Sequence, residues 1–211
     1  GHMTEKLFYT DSHLQEFTAE VVSCRPCDNG YEAVLSRTAF FPEGGGQAAD
    51  TGVIDGIRVY DVQEKGEQIF HYLEGELEEG KTVTGQIDWD KRFSRMQQHS
   101  GEHILSGMAS KLFGAKNVGF HMAEDYATID LDTQLTHEQI KELQREANRA
   151  VQRNVPVTYE TVQGEELENI TLRKQAKGLK GDIRIVYFDG GEVDSCTCCG
   201  THVAFSGEVG Y

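Results

Sequence analysis

The sequence predicts an α+β protein in two parts: a small β-barrel-like domain over residues 1–88, then an α+β domain, an antiparallel sheet with helices, over residues 89–211. Three observations predict it. As far as Asp88 the chain is a series of short alternating or β-branched runs broken by Gly, Asp and Asn, the pattern of a small barrel or sandwich. Beyond Asp88 apolar residues recur at helical spacing, with single strands between the helices. Finally, two histidines one helical turn apart, His99 and His103, are answered far downstream by Cys198 and His202.

In the first part the runs Thr18–Cys24, Tyr31–Ser36, Gly52–Asp61, Gln68–Leu73 and Thr82–Asp88 read as strands, with an acidic turn from Glu74 to Gly80. The second part opens on a long helix, roughly Asp90 to Phe113. Ile104, Leu105, Met108 and Leu112 form its apolar stripe, and His99 and His103 project from another face among the small residues Ser106, Gly107 and Ser110. Tyr126–Leu131 reads as a strand. Thr136 and Gln139 form a capping box for a second helix carrying Ile140, Leu143, Ala147, Ala150 and Val151. Val155–Thr161 reads as a strand, Glu165–Lys177 as a third helix, and Ile183–Phe188 as an apolar strand feeding the cysteine cluster. Gly207–Tyr211 reads as the beginning of a further strand, which makes the chain either closed by a very short edge or a fragment of a longer polypeptide.

Composition narrows the class. The 211 residues are 38% hydrophobic and 26% charged, as in a globular protein with a real core. No apolar run is long enough to span a membrane, no signal peptide is present, and Gly1-His2-Met3 reads as a cloning scar. The five cysteines cluster as Cys24/Cys27 and Cys196/Cys198/Cys199; without a secretion signal they are expected to be reduced or metal-bound, in a cytoplasmic protein. The net charge of −15 opposes a nucleic-acid partner, since non-specific binding to phosphate backbones is mainly electrostatic. Such a partner needs a local basic patch. Lys91, Arg92 and Arg95, and Arg173, Lys174, Lys177 and Lys180, are the candidates, against the plainer reading that they solvate helix faces.

Histidines at i and i+4 have Cβ atoms about 5–6 Å apart, which suits two nitrogens on one Zn²⁺ at about 2.0–2.1 Å each. With Cys198 and His202 they make a three-His, one-Cys set, and zinc is the expected cofactor. The same residues spell His-x-x-Glu-His, a peptidase pattern in which Glu102 is the general base. That reading needs a third ligand from Glu138, Glu142 or Glu146 and leaves Cys198 and His202 idle. Cys24-x-x-Cys27 reads as unligated cysteines in the β-rich half, and Cys196 and Cys199 as neighbours of the metal set or incidental. A non-catalytic zinc module that only binds RNA or a partner is the third reading. The other unusual stretch runs from Thr38 through Phe41-Pro42-Glu43-Gly44-Gly45-Gly46-Gln47 to Asp50-Thr51-Gly52: Gly44, Gly45 and Gly46 allow a tight turn that brings N–H groups to a partner, and Thr38, Gln47 and Asp50 offer polar groups beside it.

Taken in order, the glycine motif, His99-Ser100-x-x-His103, Cys198-x-Gly200-Thr201-His202-Val203 and Gly207-Glu208-Val209-Gly210 resemble the editing domain of alanyl-tRNA synthetases, and most of all the freestanding AlaX-type editing proteins. The resemblance runs from about Thr38 to Tyr211. Its His/His…Cys/His half is shared with the editing domain of threonyl-tRNA synthetases; the Pro-Glu-Gly-Gly-Gly-Gln half points to the alanine branch. It implies a zinc-binding editing domain that hydrolyses the ester joining serine or glycine to tRNA(Ala), with His99, His103, Cys198 and His202 as zinc ligands. It further implies that Thr38 and Gln47 line the pocket that reads the amino acid. Two departures stand out. Cys199 replaces a glycine of the family's turn, and Gly119-Phe120-His121 stands where the synthetases carry a glutamine, which gives His121 a pocket role. Family members also continue beyond the last motif, which implies that part of the tRNA-binding surface lies outside this chain.

Overall fold

A computed structural model describes residues 3–124, 126–175 and 181–210. It is a mixed α+β structure with several antiparallel sheets, in two compact units, Gly1–Arg95 and Met96–Tyr211.

The first unit contains β1 (Glu5–Lys6), a short helix α1 (Leu7–Thr10), β2 (Glu16–Cys27), β3 (Gly30–Leu35), β4 (Arg37–Thr38), β5 (Gly52–Ile54), β6 (Ile57–Lys65), β7 (Gln68–Leu73) and β8 (Thr82–Ile87). Six of these close a ring in the order β2-β3-β7-β6-β5-β8, every pairing antiparallel. The period-two pattern explains what fills it. On β2, Phe17, Ala19 and Val21 are buried between exposed Glu16, Thr18 and Glu20; on β7, Ile69, His71 and Leu73 are buried in the same alternation. Phe40 packs edge-on against both Phe17 and His71, with ring centroids 5.7 and 5.6 Å apart. The run expected as one strand over Gly52–Asp61 is two strands, because Asp55 and Gly56 take positive φ and turn the chain back into a β5–β6 hairpin.

The helix α2 (Trp89–Phe113) starts in the first unit and runs into the second, where it is followed by β9 (Asn117–Met122) and β10 (Ala127–Leu131), an antiparallel pair. Then come α3 (His137–Gln152), β11 (Val157–Gln163), β12 (Asp182–Phe188) and β13 (Asp194–Thr197). The last three form an antiparallel sheet with β12 in the middle, where Ile185, Val186 and Phe188 are fully buried. α3 begins where its capping box lies: Thr136 Oγ1 accepts from the Gln139 N–H at 3.2 Å, and Gln139 Oε1 accepts from the Thr136 N–H at 2.8 Å.

Three sequence expectations are corrected here. The third helix over Glu165–Lys177 is only one short 3₁₀ stretch, Gly164–Asn169; residues 176 and 177 lie outside the described residues. After it the chain runs beside β13, with Arg173 N–H donating to the Ser195 carbonyl, while Ile170 and Leu172 pack on the buried Val162, Leu167, Ile183 and Ile185. That pairing and burial outweigh a weak helical preference. β9 was not expected, since its exposed Val118 and His121 break the apolar pattern. The run at Gly207 continues as a 3₁₀ turn, Ser206–Val209, and not as a strand; Glu208 Oε2 accepts there from the N–H groups of Ala204 and Phe205.

Candidate metal centre

Over 99–109, α2 is buried on nearly every side, so its polar residues there face protein and not water. His99 and His103 are 4% and 3% exposed. The turn after β13 supplies Cys198 and His202. Its shape is held from β12: the Cys198 N–H donates to the Arg184 carbonyl, and Arg184 Nη1 donates to the Gly200 carbonyl at 2.9 Å while its guanidinium lies 3.9 Å over the Tyr159 ring. Gly107 lets α2 approach the start of β13. A Cβ there would fall 2.1 Å from the Val193 carbonyl oxygen and 2.9 Å from the Asp194 side chain.

The result is convergence. One donor atom from each of His99, His103, Cys198 and His202 lies within 4.8 Å of all the others. Cys198 Sγ is 3.6 Å from His99 Nε2 and 3.4 Å from His202 Nε2. Zinc–nitrogen and zinc–sulfur bonds of about 2.05 and 2.3 Å give a tetrahedral N···S edge of about 3.5 Å, so the donor set fits that ion.

The outer nitrogens are held in turn. His103 Nδ1 is 2.7 Å from Asp194 Oδ2, and Asp194 is closed by a short ion pair with Arg173. Ser100 Oγ is 3.0 Å from His202 Nδ1 and accepts from the Val203 N–H. Such partners fix ring orientation and leave Nε2 for a metal. Phe120 stacks on His99 and Phe188 on His103, at 5.8 and 5.4 Å between centroids. Burial works against charge at Cys198, yet the imidazoles of His202 and His99, with hydrogen bonds from His103 and His202, hold its thiol well below the usual value. Burial and the neighbouring His99 push His202 down to about 3. At His103 burial also opposes charge, but Cys196 and the Asp194 hydrogen bond outweigh it and raise the group well above an ordinary histidine.

Asp194, Ser100, Arg184 and Arg173's pairing role were missed in the sequence; only Ser100, inside the histidine motif, carried a local signal. The peptidase reading loses its third ligand, for no glutamate of α3 joins a metal-type cluster among the described residues. Cys24 and Cys27 join none either; Cys196 does, with His103 and Asp194. Cys199 is exposed.

Thr38 and Gln47 belong to the first unit and are 0% and 1% exposed. His71 Nδ1 donates to the Ala33 carbonyl, so its Nε2 accepts from Thr38 Oγ1 at 2.8 Å, while the same oxygen accepts from the Phe40 N–H. Gly44 and Gln47 exchange backbone hydrogen bonds across Gly45 and Gly46, whose φ values of 58° and 85° suit glycine: an exposed two-residue hairpin turn. Arg92 is corrected. It is fully buried, paired with Asp50 and donating to the Ser12 and Ala39 carbonyls, so it belongs to the interior and not to a surface phosphate patch. Arg95 is half-buried and donates to the Ala49 carbonyl. His121 is exposed on β9, paired with Thr128. Lys177 and Lys180 lie outside the described residues.

Residues 4–91 match the model of class II (A) tRNA synthetases. Over 99% of its length the chain is 40% identical to the alanyl-tRNA editing protein AlaX-L of Pyrococcus horikoshii, and over 92% it is 36% identical to the alanyl-tRNA editing protein Aarsd1 of Mus musculus. The chain is similar to alanyl-tRNA editing proteins over nearly its whole length. It covers 53% and 50% of those two relatives, and 24% of the alanine–tRNA ligase of Ignicoccus hospitalis, to which it is 35% identical over 98% of its own length. The likeness to the editing family thus reaches the barrel unit as well as the metal centre.

Proposed function

We propose that this chain is a zinc-dependent aminoacyl-tRNA deacylase acting in trans, which hydrolyses the ester of tRNA(Ala) mischarged with serine or glycine. The observation that carries it is the convergence of His99, His103, Cys198 and His202 in a chain similar to alanyl-tRNA editing proteins. These four residues would hold the ion, and zinc there would supply Lewis acidity to an ester carbonyl or to water once one of the four yields its place. The protein's own share is orientation: Asp194 and Ser100 hold two of the imidazoles, and Phe120 and Phe188 wall two of them from solvent.

Selectivity follows from hydrogen bonding. A pocket that merely tolerates an extra hydroxyl separates serine from alanine by about 10²-fold, whereas one that pairs with that hydroxyl rejects the residue lacking it. Thr38 and Gln47 are the proposed readers. Because neutral His71 accepts the hydrogen bond of the Thr38 hydroxyl and the Phe40 N–H fills one lone pair, Thr38 Oγ1 keeps one acceptor position for a further donor, which serine supplies and alanine does not. His121, next to Phe120, and the turn at Gly44, Gly45 and Gly46 are proposed substrate contacts, and Arg95 a phosphate contact. Among the described residues no helix is long and apolar enough to cross a membrane.

The test is deacylation of Ser-tRNA(Ala) and Ala-tRNA(Ala) by the full chain and by Cys198→Ala and Thr38→Val. Wild type is expected to release serine and spare alanine, Cys198→Ala to release neither, and Thr38→Val to lose the preference by about tenfold or more. Retention of serine on the tRNA at enzyme excess contradicts the proposal.

A further inference from the structure

Glu102 has no part in the reading above, yet its position is built. It precedes His103 on α2 and is 9% exposed. Its Oε1 takes two hydrogen bonds, from Ser106 Oγ at 3.0 Å and from Asn117 Nδ2 at 2.6 Å. Asn117 Nδ2 also donates to Ser106 Oγ at 2.9 Å, so three side chains close a triangle that locks the carboxylate. Asn117 is anchored in its turn, its Oδ1 accepting from the Gly119 N–H at 2.9 Å at the start of β9. The other oxygen, Oε2, lies 3.6 Å from His103 Nε2, the nitrogen on the side of the four converging donors. A surface glutamate has no need of such anchoring, and a buried carboxylate is costly unless its oxygens are used.

We propose that Glu102 is the hydrogen-bond acceptor that holds and aims the water attacking the ester, an inference that rests on the deacylase reading. Two donors fix one oxygen, which leaves the second oxygen facing the centre. Ester hydrolysis needs a water held within about 2.6–3.2 Å of an acceptor while it meets the carbonyl carbon. The water oxygen bonds to that carbon, the acyl C–O bond to the tRNA's terminal ribose breaks, and the proton given up by the water ends on the departing ribose oxygen. Three imidazoles and one thiolate already complete a tetrahedral donor set, so the carboxylate's place is beside the ion and not on it. Asn117 and Ser106 act through Glu102 and are positioning residues.

The experiment uses the full zinc-loaded chain with Ser-tRNA(Ala) at enzyme excess. Glu102→Gln is expected to slow serine release by about 10²–10³-fold. Its zinc affinity by chelator competition, its tRNA affinity and the visible absorption of its cobalt-substituted form are expected to match wild type. Glu102→Ala is expected to regain part of the lost rate with added formate, and Asn117→Ala, which frees the carboxylate, to lose about tenfold. A Glu102→Gln rate within about threefold of wild type overturns the inference. So does loss of zinc or a changed cobalt spectrum, which makes Glu102 a ligand. Should both Glu102 variants fail to fold, an unchanged rate in Asn117→Ala overturns it. Serine retained by the wild-type reaction removes the deacylase reading, and this inference with it.

Discussion

His71 shows how one side chain in this protein answers to its surroundings. It is completely enclosed in the barrel unit, with Nδ1 donating to a carbonyl and Nε2 accepting from Thr38. Burial pushes its pKa down to about 4, only partly offset by the hydrogen bond to Ala33. In the unfolded chain the same imidazole titrates near its ordinary value of about 6.5. Between those values the unfolded state binds the extra proton, so the contribution is whole above about pH 6.5 and is lost as pH falls toward 4, amounting to about 3 kcal/mol. Wild-type stability is therefore expected to fall more steeply than that of His71→Gln between pH 7 and 4.5, as followed by denaturant unfolding. Parallel curves contradict this. Nothing in the pattern of β7 announced it, because His71 occupies an inward position that reads as one more core residue.

At the scale of the element, α2 packs on the start of β13, and their closeness depends on Gly107. Gly107→Ala puts a methyl group on the Val193 carbonyl, and backbone cannot yield as a flexible side chain does. The variant is expected to lose about 1–3 kcal/mol of stability. It is also expected to weaken zinc binding, since the displaced segment carries Asp194, the partner of His103. Thermal unfolding and chelator competition measure the two effects; an unaltered zinc affinity contradicts the coupling. The elements themselves were legible wherever a period or a cap was strong, as in α2 and in α3 with its Thr136–Gln139 box. They were not legible where tertiary pairing decided: Arg173 and its neighbours lie along β13 because Ser195 accepts there, a partner 22 positions away that no local window contains.

For the whole molecule, the mixed α+β class and the alanyl-tRNA editing likeness could both be read from the chain, the second because four separated motifs fall in order. The candidate donor set was legible as residue types, while its arrangement was not: Asp194 and Ser100 hold His103 and His202, and Arg184 holds the turn at Cys198, through contacts of long sequence separation. The reading of Arg92 failed for the same reason. Its charge looked like a solvated or phosphate-facing group until Asp50 was found beside it inside the first unit. The chain spans about half the length of the relatives AlaX-L and Aarsd1.

The claim on which the account turns is that His99, His103, Cys198 and His202 share one metal ion on which serine release depends. The direct measurement is zinc content and Ser-tRNA(Ala) deacylation on the same sample, before chelation, after chelation and after zinc is restored. The account expects one zinc per chain, loss of both zinc and activity together, and recovery of both. Full deacylation by zinc-free protein, or one zinc retained by Cys198→Ala with undiminished affinity, would contradict it.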